Sequence, residues 1–181
     1  MTTSRHRLPS SEVPLPTVPP YLGEIGDEDA RWLHEHGVQR RVPAGDRVIT
    51  EGITPEHLFV VLEGEFQVSS DSMNDPDMLR VNAGELLGEV SYINHTSPGA
   101  SVWAVTPAVV LAIRRGDVDA KIADDPAFGS RFRKVLMEFA VNRMWQYNRR
   151  DVNPPPPPPT SDPYEDLRVH ELIEKLLRGE F

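Results

Sequence analysis

Residues 58–68 read Leu-Phe-Val-Val-Leu-Glu-Gly-Glu-Phe-Gln-Val, two apolar runs joined by a glycine that lies between two glutamates. Branched and aromatic residues favour strands, and Gly64 supplies a turn because a positive φ angle costs glycine little. Similar short runs continue in both directions, separated by turns that contain glycine, proline or aspartate. The predicted strands are Val38–Val42, Arg47–Glu51, Leu58–Leu62, Glu65–Ser69, Leu79–Val81, Ser101–Ala104 and Val109–Ile113. Many short strands at near-regular spacing predict a mainly β sandwich or barrel.

Helical signals flank this β-rich region on both sides. In Gly26–His36, three acidic residues precede an apolar pair, a pattern that predicts a short helix. After Arg115 the pattern changes to one or two helical turns at residues 117–123. A long amphipathic helix then follows from Pro126 to about Tyr147.

Proline content divides the 181 residues into a body and two further segments. Twelve of the 18 prolines lie in residues 1–20 or 154–163. Residues 1–20 are expected to be a disordered tail, residues 21–150 a folded domain and residues 151–162 a polyproline II linker. Residues 163–181 are expected to form an amphipathic helix that the stiff linker holds away from the domain.

The net charge of −9 is unevenly distributed. Residues 21–125 carry 8 basic and 19 acidic side chains, whereas residues 126–150 carry six basic side chains and one acidic. An acidic body repels nucleic acid, so the basic helix is interpreted as lying on that body and no nucleic-acid partner is predicted. The sequence contains no cysteine, which excludes disulfides, thiolate metal sites and cysteine nucleophiles. Apolar stretches are too short for a membrane span or a secretory signal, so a cytoplasmic protein without a membrane partner is predicted.

The order of these blocks resembles the cyclic-nucleotide-binding domain family, which includes the catabolite activator protein and the regulatory subunits of protein kinase A. The resemblance covers residues 22–148 and is carried by Pro43–Asp46, Val48–Gly52, Leu58–Val68, Gly84–Glu89, Ala100–Ala104 and the strand ending at Ile113. It implies a double-stranded β-helix, a jelly-roll-like β-roll, with a short N-terminal and a longer C-terminal helix. It also implies a regulatory protein that binds a cyclic nucleotide. The acidic stretch after Arg150 is expected to be too short for the DNA-binding unit of the family's transcription factors.

In that family a short helix between two strands, the phosphate-binding cassette, holds the ligand's phosphate. The resemblance assigns Glu89 to the ribose hydroxyl and the amides near Ala100 to the phosphate, with Gly88 allowing close approach of the backbone. The candidate ligand-binding residues are Gly88, Glu89, Val90, Ser97, Pro98, Gly99, Ala100 and Ser101.

The cassette departs from the family pattern where the phosphate would lie. At the position of the family's phosphate-gripping arginine this sequence has Pro98, and neither neighbouring residue is basic. Loss of a desolvated guanidinium–phosphate pair weakens binding by about a hundredfold or more, and proline also removes an amide donor. Cyclic AMP and cyclic GMP are therefore expected to bind more weakly than micromolar, and no other cofactor is predicted.

Other side chains could compensate for the missing arginine. The candidates are the guanidinium groups of Arg80, Arg114, Arg115 and Arg131 and the hydroxyls of Thr96, Ser97 and Ser101. Trp145 and Tyr147 on the long helix are candidate lids that would stack on a purine. The alternative for Trp145 is packing of the helix on the roll.

The sequence gives little sign of catalysis or metal binding. No nucleophile, base and orienting partner can be placed together, so a non-enzymatic function is predicted. His34-Glu35-His36 is similar to the His-x-His ligands of cupin barrels, but residues i and i+2 of a helix point to different faces. A cupin-like metal protein is therefore the lowest-ranked alternative, and no metal site is predicted.

Two apolar surfaces predict contacts with proteins. The long helix carries more large apolar residues than one packed face needs, which together with the family's two-fold contact predicts a homodimer through Phe128, Phe132, Phe139, Met144 and Trp145. The C-terminal helix carries a stripe that predicts docking on a protein partner or a second copy, formed by Val169, Leu172, Ile173, Leu176 and Leu177. Its alternative is packing on the chain's own roll.

The sequence therefore predicts a non-enzymatic regulatory or sensor module of the cyclic-nucleotide-binding type, with an atypical ligand pocket and a protein partner that receives the signal. The alternative is a degenerate β-roll that binds no ligand and serves as an assembly or docking protein.

Overall fold

The computed structural model describes residues 25–149 and 163–181, with side chains at residues 25–148 and 170–181. The predicted tail and polyproline linker lie outside the described residues. Along the chain the elements are α1 Asp27–His36, β1 Gly37–Val42, β2 Arg47–Ile49, β3 His57–Glu63, β4 Glu65–Ser70, β5 Asp75–Asn82, β6 Leu86–Leu87, α2 Glu89–Ile93, β7 Ser101–Ala104, β8 Ala108–Arg114, α3 Arg115–Asp124, α4 Pro126–Arg149 and α5 Pro163–Arg178. Each predicted strand is present within a few residues. The two-residue strand β6 is an addition that the sequence pattern does not predict.

The eight strands form two antiparallel four-stranded sheets. One sheet has the order β1-β8-β3-β6 and the other the order β2-β7-β4-β5. The glycine turn at Gly64 carries the chain from β3 in the first sheet to β4 in the second. Its φ angle is +89°, and a Cβ atom there would lie 2.6 Å from Cβ of Ala108, so a side chain would clash. The predicted mainly β roll with flanking helices is confirmed.

Strand β3 explains why residues 58–62 lack the usual alternation of apolar and polar side chains. Leu58, Val60 and Leu62 pack in a cluster with the helices, whereas Phe59 and Val61 pack in the core between the sheets. Both faces of this strand are therefore covered by protein, and each position favours an apolar residue. In β4, by contrast, buried and half-buried positions alternate.

Helix α4 closes one side of the roll and packs on α2 and α3. Phe128, Phe132 and Phe139 are at most 2% exposed and belong to the cluster between the helices and the first sheet. The prediction that these three rings form a dimer surface is therefore wrong, because the chain's own core already buries them. The large apolar side chains that α4 exposes within the described residues are Met137, Val141 and Met144.

The C-terminal helix α5 packs against α1 and β3 of the same chain. Leu172, Ile173 and Leu176 are buried in the helix-side cluster, and Leu177 packs against it. The prediction that this stripe docks on a partner, away from the roll, is therefore wrong in this structure; the alternative of packing in cis is correct. Val169 lies outside the residues with described side chains.

Polar contacts fix the C-terminal end of α5 on the domain. The imidazole Nδ1 of His34 donates to the carbonyl oxygen of Leu176 at 2.9 Å, and the Gln39 amide donates to the carbonyls of Leu176 and Leu177 at 2.9 Å each. Lys175 forms an ion pair with Asp27. The last carbonyls of a helix have no partner within it, so these side chains satisfy groups that would otherwise need water.

Candidate ligand-binding site

The cassette begins at the turn between β6 and α2. Gly88 precedes α2 with φ 90° and ψ 1°, a left-handed conformation that favours glycine. Its carbonyl oxygen accepts hydrogen bonds from the Ser91 hydroxyl at 3.0 Å and from the Arg115 guanidinium at 3.1 Å. Arg115 also donates to the Ser91 hydroxyl at 2.6 Å, and burial lowers its pKa. Arg115 therefore stabilises the start of the cassette through these two hydrogen bonds.

A cavity of about 360 Å³ opens between the cassette, the second sheet and α4. Seven of the eight candidate ligand-binding residues line it, namely Gly88, Glu89, Val90, Ser97, Pro98, Gly99 and Ala100. Apolar side chains form most of the remaining wall, among them Val68, Met73, Met78, Leu79 and Val102. Helix α4 contributes Ala140, Arg143, Met144 and Tyr147. A cavity of this size with a few polar groups is typical of a small-molecule site.

Two of the predicted site residues lie elsewhere. The hydroxyl of Ser101 accepts a hydrogen bond from the amide of Glu51 at 3.0 Å, so it ties β7 to the β2 turn and does not line the cavity. Trp145 does not line it either, because residues two apart on a helix point to different faces, and Tyr147 faces the cavity. The Tyr147 hydroxyl lies 3.5 Å from an Asp75 carboxylate oxygen. The structure therefore places Ser101 and Trp145 outside the lining of the cavity, and their roles in ligand binding stay predictions.

The polar floor of the cavity is a buried group of one arginine and two glutamates. Arg143 Nε lies 3.2 Å from Glu89 Oε1, and Arg143 Nη2 lies 3.5 Å from Glu85 Oε2. Arg143 Nη2 also donates to the carbonyl oxygen of Leu86 at 2.8 Å, while the Asn82 amide donates to Glu85 at 2.9 Å. The two glutamates are at most 5% exposed at their side chains and Arg143 is 13% exposed.

Charge in this group is unbalanced, with two carboxylates facing one guanidinium. Burial raises the pKa of Glu85 from its ordinary value, and the Arg143 charge opposes that rise. Glu89 Oε1 is buried and has no hydrogen-bond partner among the described residues, so its contact with Arg143 is an ion pair without hydrogen-bond alignment. Glu89, which the resemblance assigns to the ribose, thus has a carboxylate oxygen that could accept a further hydrogen bond.

The arginines proposed as substitutes for the missing one do not reach the cavity. Arg80 pairs with Glu65 and Asp77, Arg114 with Glu56, and Arg131 with Asp29, while Arg115 lies beneath the cassette. Among the described residues that line the cavity, Arg143 is the only cation. Sequence reasoning missed Arg143, although its spacing of three from Ala140 and four from Tyr147 could have placed it on their helix face.

Residues 96–100, which line the cavity after α2, carry no cationic side chain. The Pro98 carbonyl oxygen accepts a hydrogen bond from the Gly52 amide at 2.8 Å, and the Ser97 and Thr54 hydroxyls lie 3.4 Å apart. Proline has no amide hydrogen to offer a phosphate. The hydroxyls of Thr96 and Ser97 are therefore the polar side chains available on this side.

The two histidines of the His-x-His pattern have separate partners. His34 bonds to α5 as described above, and the imidazole Nδ1 of His36 donates to the carbonyl oxygen of Trp32 at 2.9 Å. Their rings therefore serve different helix ends.

Comparisons with known proteins agree with this architecture. The sequence model of the cyclic nucleotide-binding domain matches residues 39–125. The chain is 35% identical over 95 residues to the cGMP-dependent protein kinase egl-4 of Caenorhabditis briggsae. This alignment covers 52% of this chain and 12% of the kinase. It is 29% identical over 126 residues to the Pycsar effector protein PaPycTIR of Pseudomonas aeruginosa, covering 68% of this chain and 39% of the effector. The chain thus spans less than half the length of either relative.

Among solved structures, a cyclic nucleotide-binding domain from Methylobacillus flagellatus KT superimposes with a TM-score of 0.66 at 23% identity, covering 75% of this chain and 81% of that one. Residues 39–125 therefore match the model of the cyclic nucleotide-binding domain, and the superposition shows that the chain shares the fold of such a domain. None of the helices within the described residues has both the length and the apolar character that a membrane crossing requires.

Proposed function

We propose that this chain is a non-enzymatic regulatory module whose pocket binds cyclic AMP and cyclic GMP more weakly than micromolar. The observation that carries the proposal is the position of Arg143. It is the only cation among the described residues that line the cavity, and Glu85 and Glu89 hold it. A guanidinium committed to two buried carboxylates is not available to a phosphate.

The charges of the pocket favour a ligand without a phosphate. Glu85, Glu89 and Arg143 together bring at most one positive charge against two negative ones, and Pro98 replaces the missing cation on the opposite wall. A desolvated phosphate beside this group would meet net repulsion. An uncharged ligand with an O–H or N–H group could donate to Glu89 Oε1 and rest against the apolar wall.

The same residues offer a route from the pocket to the surface. Arg143 connects α4 to Glu89 of the cassette, and α4 packs on α2 and α3. A ligand that bonds to Glu89 competes with Arg143 and changes how α4 sits on the cassette. A protein partner that contacts the helices would receive this change as the signal.

The proposed affinity can be tested by restoring the missing cation. Pro98→Arg is expected to strengthen cyclic AMP binding by about a hundredfold, because it restores a charge-assisted pair with the phosphate. Adenosine has the same base and ribose, so its affinity should change little. Isothermal titration of both ligands separates the phosphate contribution from the rest.

The control for this variant is Val105→Arg, which adds the same charge at a 39% exposed valine between β7 and β8, away from the cavity. It is expected to leave both affinities unchanged. An equal gain for adenosine and cyclic AMP, or a gain in the control, would contradict the proposal.

A homodimer through α4 belongs to the same proposal. Met137, Val141 and Met144 are 50%, 60% and 65% exposed and are spaced by four and three residues, so they form one exposed helix face. Val141→Glu is expected to shift the sedimenting species at high micromolar concentration to the monomer, whereas Val105→Glu is expected to leave it a dimer. A wild-type protein that sediments as a monomer would remove this part of the proposal.

A second candidate function is an assembly or docking module that binds no small molecule. It is favoured by the ion pair between Arg143 and Glu89, which already occupies the position that the family uses for ribose. Failure of cyclic nucleotides and adenosine alike to bind would favour this candidate.

A further inference from the structure

The edges of the two sheets form a second cleft, separate from the ligand cavity. It measures about 420 Å³ and lies between β1, at the edge of the first sheet, and β2, at the edge of the second. Three exposed arginines line it, Arg40, Arg41 and Arg47, and Asp46 is the one carboxylate among its described lining residues. We call these three side chains the arginine triad.

The triad differs in its pairing from four of the domain's other arginines. Arg80, Arg114, Arg131 and Arg143 each contact a carboxylate. The triad arginines form no ion pair with any residue that the structure describes, and the guanidinium of Arg47 lies 4.5 Å above the ring of Trp103. In a chain of net charge −9, three arginines without a carboxylate partner form a local positive potential.

The backbone beside the triad is able to accept a further strand. Within the described residues β1 pairs with β8 alone, and β2 pairs with β7 alone, so each strand has one free edge. An extended peptide can add to such an edge through main-chain hydrogen bonds. Positive side chains at an edge discourage pairing with neutral or basic strands, and they favour an acidic one.

We infer that the arginine triad and the free edge of β1 form a docking site for an extended acidic segment of a protein partner. Charge complementarity selects the acidic segment, and strand pairing orients it along β1. The inference rests on the proposed function only in requiring a protein partner. Because α5 already covers its own apolar stripe in cis, this site replaces the docking surface that the sequence predicts.

The probe for this site is a fluorescein-labelled peptide of alternating Glu and Thr, titrated by anisotropy against the full chain. We expect saturable binding that weakens with salt and is lost when the peptide's amides are N-methylated on the pairing edge. The double variant Arg40→Glu/Arg41→Glu is expected to weaken binding by at least about tenfold, the effect of losing roughly 1.4 kcal/mol.

The control is Arg133→Glu/Lys134→Glu, which makes the same change in net charge on exposed residues of α4. It is expected to change the peptide affinity less than about twofold, since it lies away from the cleft. The inference would be overturned if the wild type does not bind the peptide or if both double variants lose the same affinity. It would also be overturned if N-methylation of the peptide leaves its affinity unchanged. The peptide titration needs no ligand in the pocket. Its outcome therefore does not depend on whether cyclic nucleotides bind with the proposed affinity.

Discussion

Replacing Arg143 with methionine is expected to lower the free energy of unfolding by about 3 to 5 kcal/mol near neutral pH. The substitution leaves Glu85 and Glu89 buried without a compensating charge, at side-chain exposures of 5% and 3%. Methionine replaces the aliphatic part of the arginine side chain and removes the guanidinium, so the loss reports mainly on the charge. Urea denaturation followed by tryptophan fluorescence measures the effect.

The same variant has a characteristic pH dependence. A buried carboxyl whose pKa is raised in the folded state binds a proton that the unfolded chain releases, so stability falls as pH rises from the ordinary value of 4.5 through the raised one. Arg143 lowers the pKa of Glu85, and its removal extends this window to higher pH. The stability deficit of Arg143→Met should therefore be full at neutral pH and shrink as pH falls toward 4.5.

Two further variants separate charge from packing. Adding Glu85→Gln and Glu89→Gln to Arg143→Met is expected to restore most of the lost stability, because no buried charge then remains uncompensated. Arg133→Met, at an exposed position of the same helix, is expected to cost less than about 0.5 kcal/mol. A deficit that persists in the triple variant, or one that does not depend on pH, would contradict the described charge network.

Leu176→Ala is expected to cost about 2 to 5 kcal/mol, because Leu176 is completely buried between α5 and the domain. Leu177→Ala is the matched control on the next residue; Leu177 is only half-buried, and its loss is expected near 1 kcal/mol. The denaturation midpoint of the β-roll, followed by far-UV circular dichroism, measures both. An unchanged midpoint for Leu176→Ala would contradict the packing of α5 on the roll of its own chain.

The difference between pattern and structure is clearest in α5. An apolar stripe shows that one helix face is buried, but it does not show which surface covers that face. The surface that covers the stripe consists of Leu33 and other residues of α1 and β3, which lie far from α5 in sequence. His34 and Gln39 hold α5 through hydrogen bonds, but no sequence pattern marks these two residues as its partners. Long-range pairing of this kind is invisible to local periodicity.

The strands and the long helix were predictable because their signals are local. Glycine turns and apolar runs mark β3 and β4, and the Asp125-Pro126 pair marks the start of α4. The carboxylate of Asp125 accepts a hydrogen bond from the Phe128 amide at 3.0 Å, and that bond holds its pKa below the ordinary value. The interpretation that the basic helix lies on the acidic body is confirmed for Arg131 and Arg143, which pair with Asp29 and with Glu85 and Glu89.

The ligand cavity was predictable in part. The family blocks bring Gly88, Glu89 and Pro98 to one cavity, and Tyr147 reaches it from α4. The role of Arg143 depends on its contact with Glu89 across the packing of α4 on α2, and the position of Ser101 depends on its hydrogen bond to the amide of Glu51. Residue spacing can place Arg143 on the face of α4 that carries Ala140 and Tyr147, but it identifies neither the partner of Arg143 nor that of Ser101.

The most direct test of the central claim compares cyclic AMP with adenosine on the unmodified protein by isothermal titration calorimetry. The account predicts a dissociation constant for cyclic AMP weaker than micromolar and no tighter than that of adenosine, because the pocket gives the phosphate no free cation. A submicromolar dissociation constant for cyclic AMP, with adenosine bound about a hundredfold more weakly, would contradict it.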